Sequence, residues 1–109
     1  MNIRNQISIK SPEEIELLRQ AGKILASIRS QLACSLKSGM TTKDVDVLAE
    51  KLIAQNGVAP AFKGYRGFPA CACVSLNQEV VHGIPEPERF IKDGDIVSID
   101  IGIIYRDYY

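Results

Sequence analysis

An α+β fold, with two helices packed on an antiparallel sheet, is what this sequence predicts. Apolar residues recur at helical spacing up to Ile53. After Val58 the pattern switches to short runs of period two, separated by glycine, proline, asparagine and aspartate. Helices gathered before strands, rather than alternating with them, layer on one face of a sheet. A length of 109 residues bounds the chain to a single domain, and a hydrophobic fraction of 46% is enough for a real core.

Residues 1–10 read as an extended lead-in. Ser11-Pro12-Glu13-Glu14 then opens a helix: Ser11 caps it, Pro12 suits the first helical position, and Glu14 completes a capping box. Ile15, Leu18, Leu25, Ile28 and Leu32 follow at helical spacing. Ala21 and Gly22 make one turn of that face small, so a neighbouring element can come close. The spacing predicts a helix over 12–36, ended by Ser38-Gly39. Thr41 opens the next helix with Asp44 in the capping-box position, and Val45, Leu48, Ala49, Leu52 and Ile53 give its apolar stripe. Asn56-Gly57 closes it as a left-handed cap. Both helices read as structural cover for the sheet, without chemistry of their own.

Val58 to Phe62 reads as a short edge or irregular strand, because Pro60 cannot donate to a ladder. Lys63 to Pro69 is a loop of glycines and aromatics. Cys71 to Leu76 reads as a strand, Asn77-Gln78 as a turn and Glu79 to His82 as a second strand. Gly83-Ile84-Pro85-Glu86-Pro87 leaves the sheet, Phe90-Ile91 anchors the return, and Asp93-Gly94 turns into a strand from Asp95 to Tyr105. Arg106-Asp107 is the next turn, and Tyr108-Tyr109 begins another strand.

Thirteen basic residues balance thirteen acidic ones, so no overall field draws in nucleic acid or an acidic membrane. The N-terminus lacks the apolar stretch of a secretory signal, and no apolar run approaches the ~18 residues of a membrane span. The expectation is a soluble cytoplasmic protein. Three cysteines without a secretory signal argue against a disulfide framework. Cys71 and Cys73 do not make a zinc-binding pair; two apart on a strand, they share a face and read as small packing residues.

The chemistry concentrates in the last predicted strand. Its alternate positions Val97, Ile99, Ile101, Ile103 and Tyr105 form one apolar face. The opposite face carries Asp100 between Ser98 and Gly102. Burying even a neutral polar group without a partner costs roughly 2–7 kcal/mol, and a carboxylate more. Asp100 must therefore face water, meet a cation or bind a metal, and its small neighbours leave room for something to approach. His82 is the only histidine, held at a strand's mouth by Gly83 and Pro85. Taken alone, a single histidine is more often a hydrogen-bonded structural residue than a functional one. Tyr65 and Phe68 line an apolar pocket or simply pack their loop; spacing does not separate the two.

Three strings taken together resemble the bacterial-type methionine aminopeptidases: K-G-Y-R-G-F-P, then C-V-S-L-N-Q-E-V-V-H-G-I-P, then D-G-D-I-V-S-I-D-I-G. The leading S-I-K-S-P-E-E-I-E-L-L-R-Q-A-G-K is similar too, and the likeness runs in order over nearly the whole chain. The resemblance implies the N-terminal half of a pita-bread fold. It implies two divalent cations per complete site (cobalt, manganese, iron or zinc), held by two aspartates, one histidine and two glutamates. The substrates would be N-terminal methionine peptides of nascent chains, met near the ribosome.

Carried over residue by residue, Asp100 matches the first metal-ligating aspartate. His82 matches the histidine that contacts substrate at the scissile amide and is not a metal ligand. Phe62, Tyr65, Phe68 and Cys73 fall where the family lines its methionine side-chain pocket. Phe62 and Arg66 stand where some relatives have cysteine and histidine. The remaining ligands would lie after Tyr109, so residues 1–109 are expected to be the first half of the catalytic domain, inactive alone and prone to associate through uncovered apolar surface. Two other readings remain: a non-catalytic peptide- or partner-binding module on the same scaffold, and the proline-directed branch of the same fold.

Overall fold

The computed structural model describes residues 7–109, so the first six residues of the predicted lead-in lie outside the described residues. Ile7 to Lys10 form no regular structure, and Ile7 and Ile9 are exposed. Helix α1 spans Pro12–Ser35, and both hydrogen bonds of its capping box are present. The Glu14 N–H donates to Ser11 Oγ at 3.2 Å, and the Ser11 N–H donates to Glu14 Oε1 at 3.0 Å. Helix α2 spans Thr42–Gln55, with the same reciprocal pair between Thr41 and Asp44. Two sequence-local motifs thus fix both helix starts, satisfying donors that have no partner inside the helix.

Four short strands follow: β1 at Ala59–Pro60, β2 at Ala72–Leu76, β3 at Val97–Ile101 and β4 at Ile103–Ile104. They make two antiparallel pairs, β1 with β4 and β2 with β3. The predicted single strand over 95–105 is therefore broken at Gly102 and shared between two partners. Gly102 is where the break must come. A Cβ there would stand 3.0 Å from the Phe62 ring and 3.2 Å from Ala61 Cβ. After β4, Tyr105 and Tyr108 exchange backbone hydrogen bonds across Arg106-Asp107, both at positive φ, as a type I′ turn requires.

The core lies between the helices and β2. Ile28 and Leu32 of α1 meet Val45, Ala49 and Ile53 of α2, and Ala72, Val74 and Leu76 of β2 close it from below. Every residue of β2 is buried. At the narrow turn predicted at Ala21-Gly22, Ala21 is buried, while a Cβ on Gly22 would meet nothing within 4 Å.

The second predicted strand, Glu79 to His82, does not form. Asn77 turns the chain at φ 52, and Val80 and Val81 are exposed. The outer edge of β2 is satisfied in a different way. The N–H groups of alternate residues point to one side of a strand, and here three separate acceptors meet them. Asp46 Oδ1 accepts from Ala72 at 3.0 Å and from the neighbouring Cys71 at 2.8 Å. The Gly83 carbonyl accepts from Val74 at 2.9 Å, and Glu79 Oε1 accepts from Leu76 at 3.0 Å.

Asp46 corrects the expectation that the helices carry nothing but cover. It is 2% exposed, on the same face of α2 as Ala49 and Ile53. Lys43 Nζ lies 3.4 Å from its other oxygen. Beyond His82 the chain is strapped to the start of α2, where Thr42 Oγ1 accepts from Glu86 N–H and the Thr42 N–H donates to the Arg89 carbonyl. Arg89 also pairs with Glu79. Ile91 anchors the return, exchanging backbone hydrogen bonds with Gly39 and Met40, while Phe90 stays exposed.

Two consequences are measurable. Asp46→Ala strands two buried backbone donors, so chemical denaturation should show a loss of about 3 kcal/mol, with Asp46→Asn losing less because it keeps an acceptor. The second concerns Tyr108, whose hydroxyl donates to Glu14 and ties the C-terminal turn to α1. The Ser11 N–H, and after it this hydroxyl, hold the Glu14 carboxyl below its usual range. A depressed carboxylate adds stability above its unfolded pKa, near ~4.3, and loses it as pH falls through the folded value. Thermal melts should place Tyr108→Phe below wild type at neutral pH, and the gap should close as the pH drops through that acid range.

Candidate functional site

One cavity of ≈ 610 Å³ is bordered by four segments. The loop after β1 brings Phe62, Tyr65 and Phe68, β2 brings Cys73, the bend before Pro85 brings His82, and β3 brings Asp100. All six residues singled out in the sequence thus border the same space. Arg66 and Ile84 border it as well. Ile84 was legible only as part of H-G-I-P, where a half-exposed apolar side chain follows a buried glycine.

The apolar wall is built from the aromatic loop. Phe62 and Phe68 meet edge to face, with centroids 6.4 Å apart and planes at 87°. Tyr65–Gly67 is a single 3₁₀ turn, and the Gly64 N–H donates back to the Phe68 carbonyl at 2.8 Å. Arg66, in the left-handed region at φ 48, lays its guanidinium 5.4 Å from the centre of the Tyr65 ring. Cation and ring therefore stand together at the rim. The loop thus borders the cavity while two of its own rings pack together.

Asp100 stands opposite Cys73 in the β2–β3 register. It is exposed, as are Ser98 and Ile96, while Val97, Ile99 and Ile101 turn inward, so the predicted alternation holds along β3. The room beside Asp100 on the Gly102 side is taken by the Phe62 ring, which closes the cavity there. A second cavity of ≈ 660 Å³, between α1 and β3–β4, also reaches Asp100. A third cavity of ≈ 330 Å³, beside Arg29, reaches it as well. The carboxylate therefore borders three spaces, and among the described residues no ion pair engages it.

Burial, and after it the charge of Asp100, raises the Cys73 thiol above its usual pKa. Cys73 is thus a protonated apolar wall at neutral pH rather than a nucleophile. The two neighbouring cysteines, expected on one face, go to different places: Cys71 precedes β2 and joins the core, while Cys73 lines the cavity.

His82 is placed by its neighbour. It is exposed, with a left-handed backbone at φ 61. Gly83 is buried against β2, where a Cβ would fall 2.2 Å from the Val74 carbonyl oxygen. Only glycine permits that approach, and it delivers the imidazole to the cavity mouth.

Among the described residues no three histidine, cysteine, aspartate or glutamate side chains gather as a cation site. Asp100 offers a single carboxylate, and a catalytic divalent ion needs a converging set of donors. These residues alone do not fit a complete metal centre.

Comparison with known proteins agrees with this geometry. The chain is 49% identical over 102 residues to a methionine aminopeptidase of Clostridium acetobutylicum, covering 94% of this chain and 41% of that one. It is 47% identical over 103 residues to methionine aminopeptidase 1 of Bacillus subtilis, with the same coverage. The crystal structure of the Thermotoga maritima methionine aminopeptidase superposes with a TM-score of 0.87 at 44% identity, over 93% of this chain and 41% of that one. Escherichia coli aminopeptidase P superposes at 0.71 with 28% identity, over 89% of this chain and 21% of the other. The chain spans about two fifths of the curated relatives it matches. The profile described as metallopeptidase family M24 matches residues 16–109, and the chain belongs to that family.

Proposed function

We propose that residues 1–109 are the N-terminal half of the catalytic domain of a cytoplasmic methionine aminopeptidase, which removes the N-terminal methionine from nascent chains near the ribosome. One observation carries the reading: a single cavity joins an aromatic wall to His82 and to Asp100, a carboxylate that no ion pair engages among the described residues. The wall is shaped for an unbranched apolar side chain. Phe62 and Phe68 offer ring edges and faces to a thioether, a contact worth about 0.3–1.5 kcal/mol. Cys73, protonated, adds apolar surface without competing charge. Tyr65 closes the rim.

His82 reaches this space from the opposite segment, where its imidazole can hydrogen-bond the amide that follows a bound N-terminal residue. Asp100 supplies one carboxylate toward a divalent-cation pair of cobalt, manganese, iron or zinc. When bound, such ions supply Lewis acidity at the scissile carbonyl. A proline-directed specificity on this scaffold finds less support, because the likeness to aminopeptidase P is lower in both superposition and identity.

The natural gene product, loaded with cobalt or manganese, should release methionine from Met-Ala-Ser and leave Ala-Pro-Ser intact. His82→Ala should lower kcat about a hundredfold with little change in KM, as expected for a contact made at the reacting amide. Asp100→Asn should weaken cation binding in calorimetry and abolish turnover. Residues 1–109 alone should turn over neither peptide. Preferential cleavage of Ala-Pro-Ser would assign the proline-directed branch instead, and absence of cleavage with full metal loading would leave a binding module.

A further inference from the structure

His82 borders the cavity with little packing of its own. It is exposed, it follows the exposed Val80 and Val81, and its backbone sits in the left-handed region. What fixes it is the next residue. The Gly83 carbonyl accepts the Val74 N–H at 2.9 Å, and the Gly83 N–H donates to Ser75 Oγ at 3.0 Å. Both polar groups of one peptide residue are thus tied to consecutive residues of β2. That strand also carries Cys73, which lies opposite Asp100.

Ser75 itself is 2% exposed, and Gly83 is buried. A backbone N–H in such a place needs a protein acceptor, and the hydroxyl is the one present. Val80 to His82 make no ladder, and the next hydrogen-bonded strap is at Glu86.

We propose that Ser75 is a positioning residue whose hydroxyl, by holding the Gly83 N–H, sets the direction in which the His82 imidazole enters the cavity. The functional half of this rests on His82 contacting substrate, while the placement itself does not. A Ser75 that merely stabilised the core would change the melting temperature and leave the imidazole where it is.

His82 is the chain's only histidine, so its ring gives an isolated NMR signal. In Ser75→Ala the Gly83 amide should exchange about tenfold faster, the scale of one buried hydrogen bond. The His82 ring signals should shift and broaden. Ser75→Thr keeps a hydroxyl and should restore both. Ser75→Cys, a weaker acceptor of similar size, should give intermediate values and serves as the reading if the alanine variant does not fold. Wild-type His82 signals and Gly83 protection in the folded variant overturn the proposal, whatever its melting temperature. In the metal-loaded natural product, Ser75→Ala should lower kcat with KM little changed, and an unchanged kcat also counts against it. If the wild-type product releases no methionine, the enzymatic reading fails while the NMR comparison still decides the role of Ser75.

Discussion

The outer edge of β2 is the constraint on which the site depends. β2 is buried throughout, so none of its backbone donors can turn to water. A fifth strand would satisfy them in a ladder and would run straight past the cavity. Instead Asp46, Gly83 and Glu79 each satisfy one part of the edge. Asp46 fixes α2 against the start of the strand. Glu79 fixes the turn after it. Gly83 lands in between and carries His82 to the cavity mouth. The irregular backbone over residues 79–83 is thus the solution to a hydrogen-bonding problem, and it leaves a histidine where a regular strand would not.

This explains which parts of the molecule could be read directly from the residues. The helix starts were legible because Ser11 with Glu14 and Thr41 with Asp44 satisfy local donors through local side chains. The Arg106-Asp107 turn and the exposed face of β3 were legible for similar reasons, being set by the nearest neighbours and by period two. Strand formation at Glu79 to His82 was a reasonable expectation from Val80 and Val81, but no edge was left for them to pair with. The Gly83 carbonyl and the Glu79 carboxylate take the Val74 and Leu76 donors, and the start of the edge goes to Asp46, 26 residues before Ala72. Its one local signal was a place three residues before Ala49 and seven before Ile53, which puts it on the buried face of α2. The break at Gly102 likewise depends on Phe62, forty residues away in sequence. Long-range partners override local preference in both cases.

The six candidate site residues were legible for mixed reasons. Strand alternation alone put Asp100 on the polar face. The aromatic loop and His82 were ambiguous by themselves, and it was their joint resemblance to a known family that singled them out. What no local pattern gave was the support beneath them: the Ser75 hydroxyl, the glycine approach at Val74, and the edge-to-face contact of Phe62 with Phe68.

Each side of the cavity is placed by packing and register within the fold. Asp100 is aimed by the β2–β3 register, not by a counter-ion, so its direction is a property of the backbone. Phe62 is held by the missing Cβ at Gly102 and by Phe68, and His82 by the peptide that follows it. Asp100 and His82 are set by separate parts of the fold, while Phe62 and Phe68 support each other. A carboxylate fixed in this way borders three cavities and, among the described residues, makes no ion pair. Asp100 is exposed, so its charge faces water. Further donors that converged on the same point would gain from an anion already oriented, because less ordering would remain to be done on binding. The arrangement thus sets a half-buried aromatic wall beside one exposed, directed charge in the same cavity.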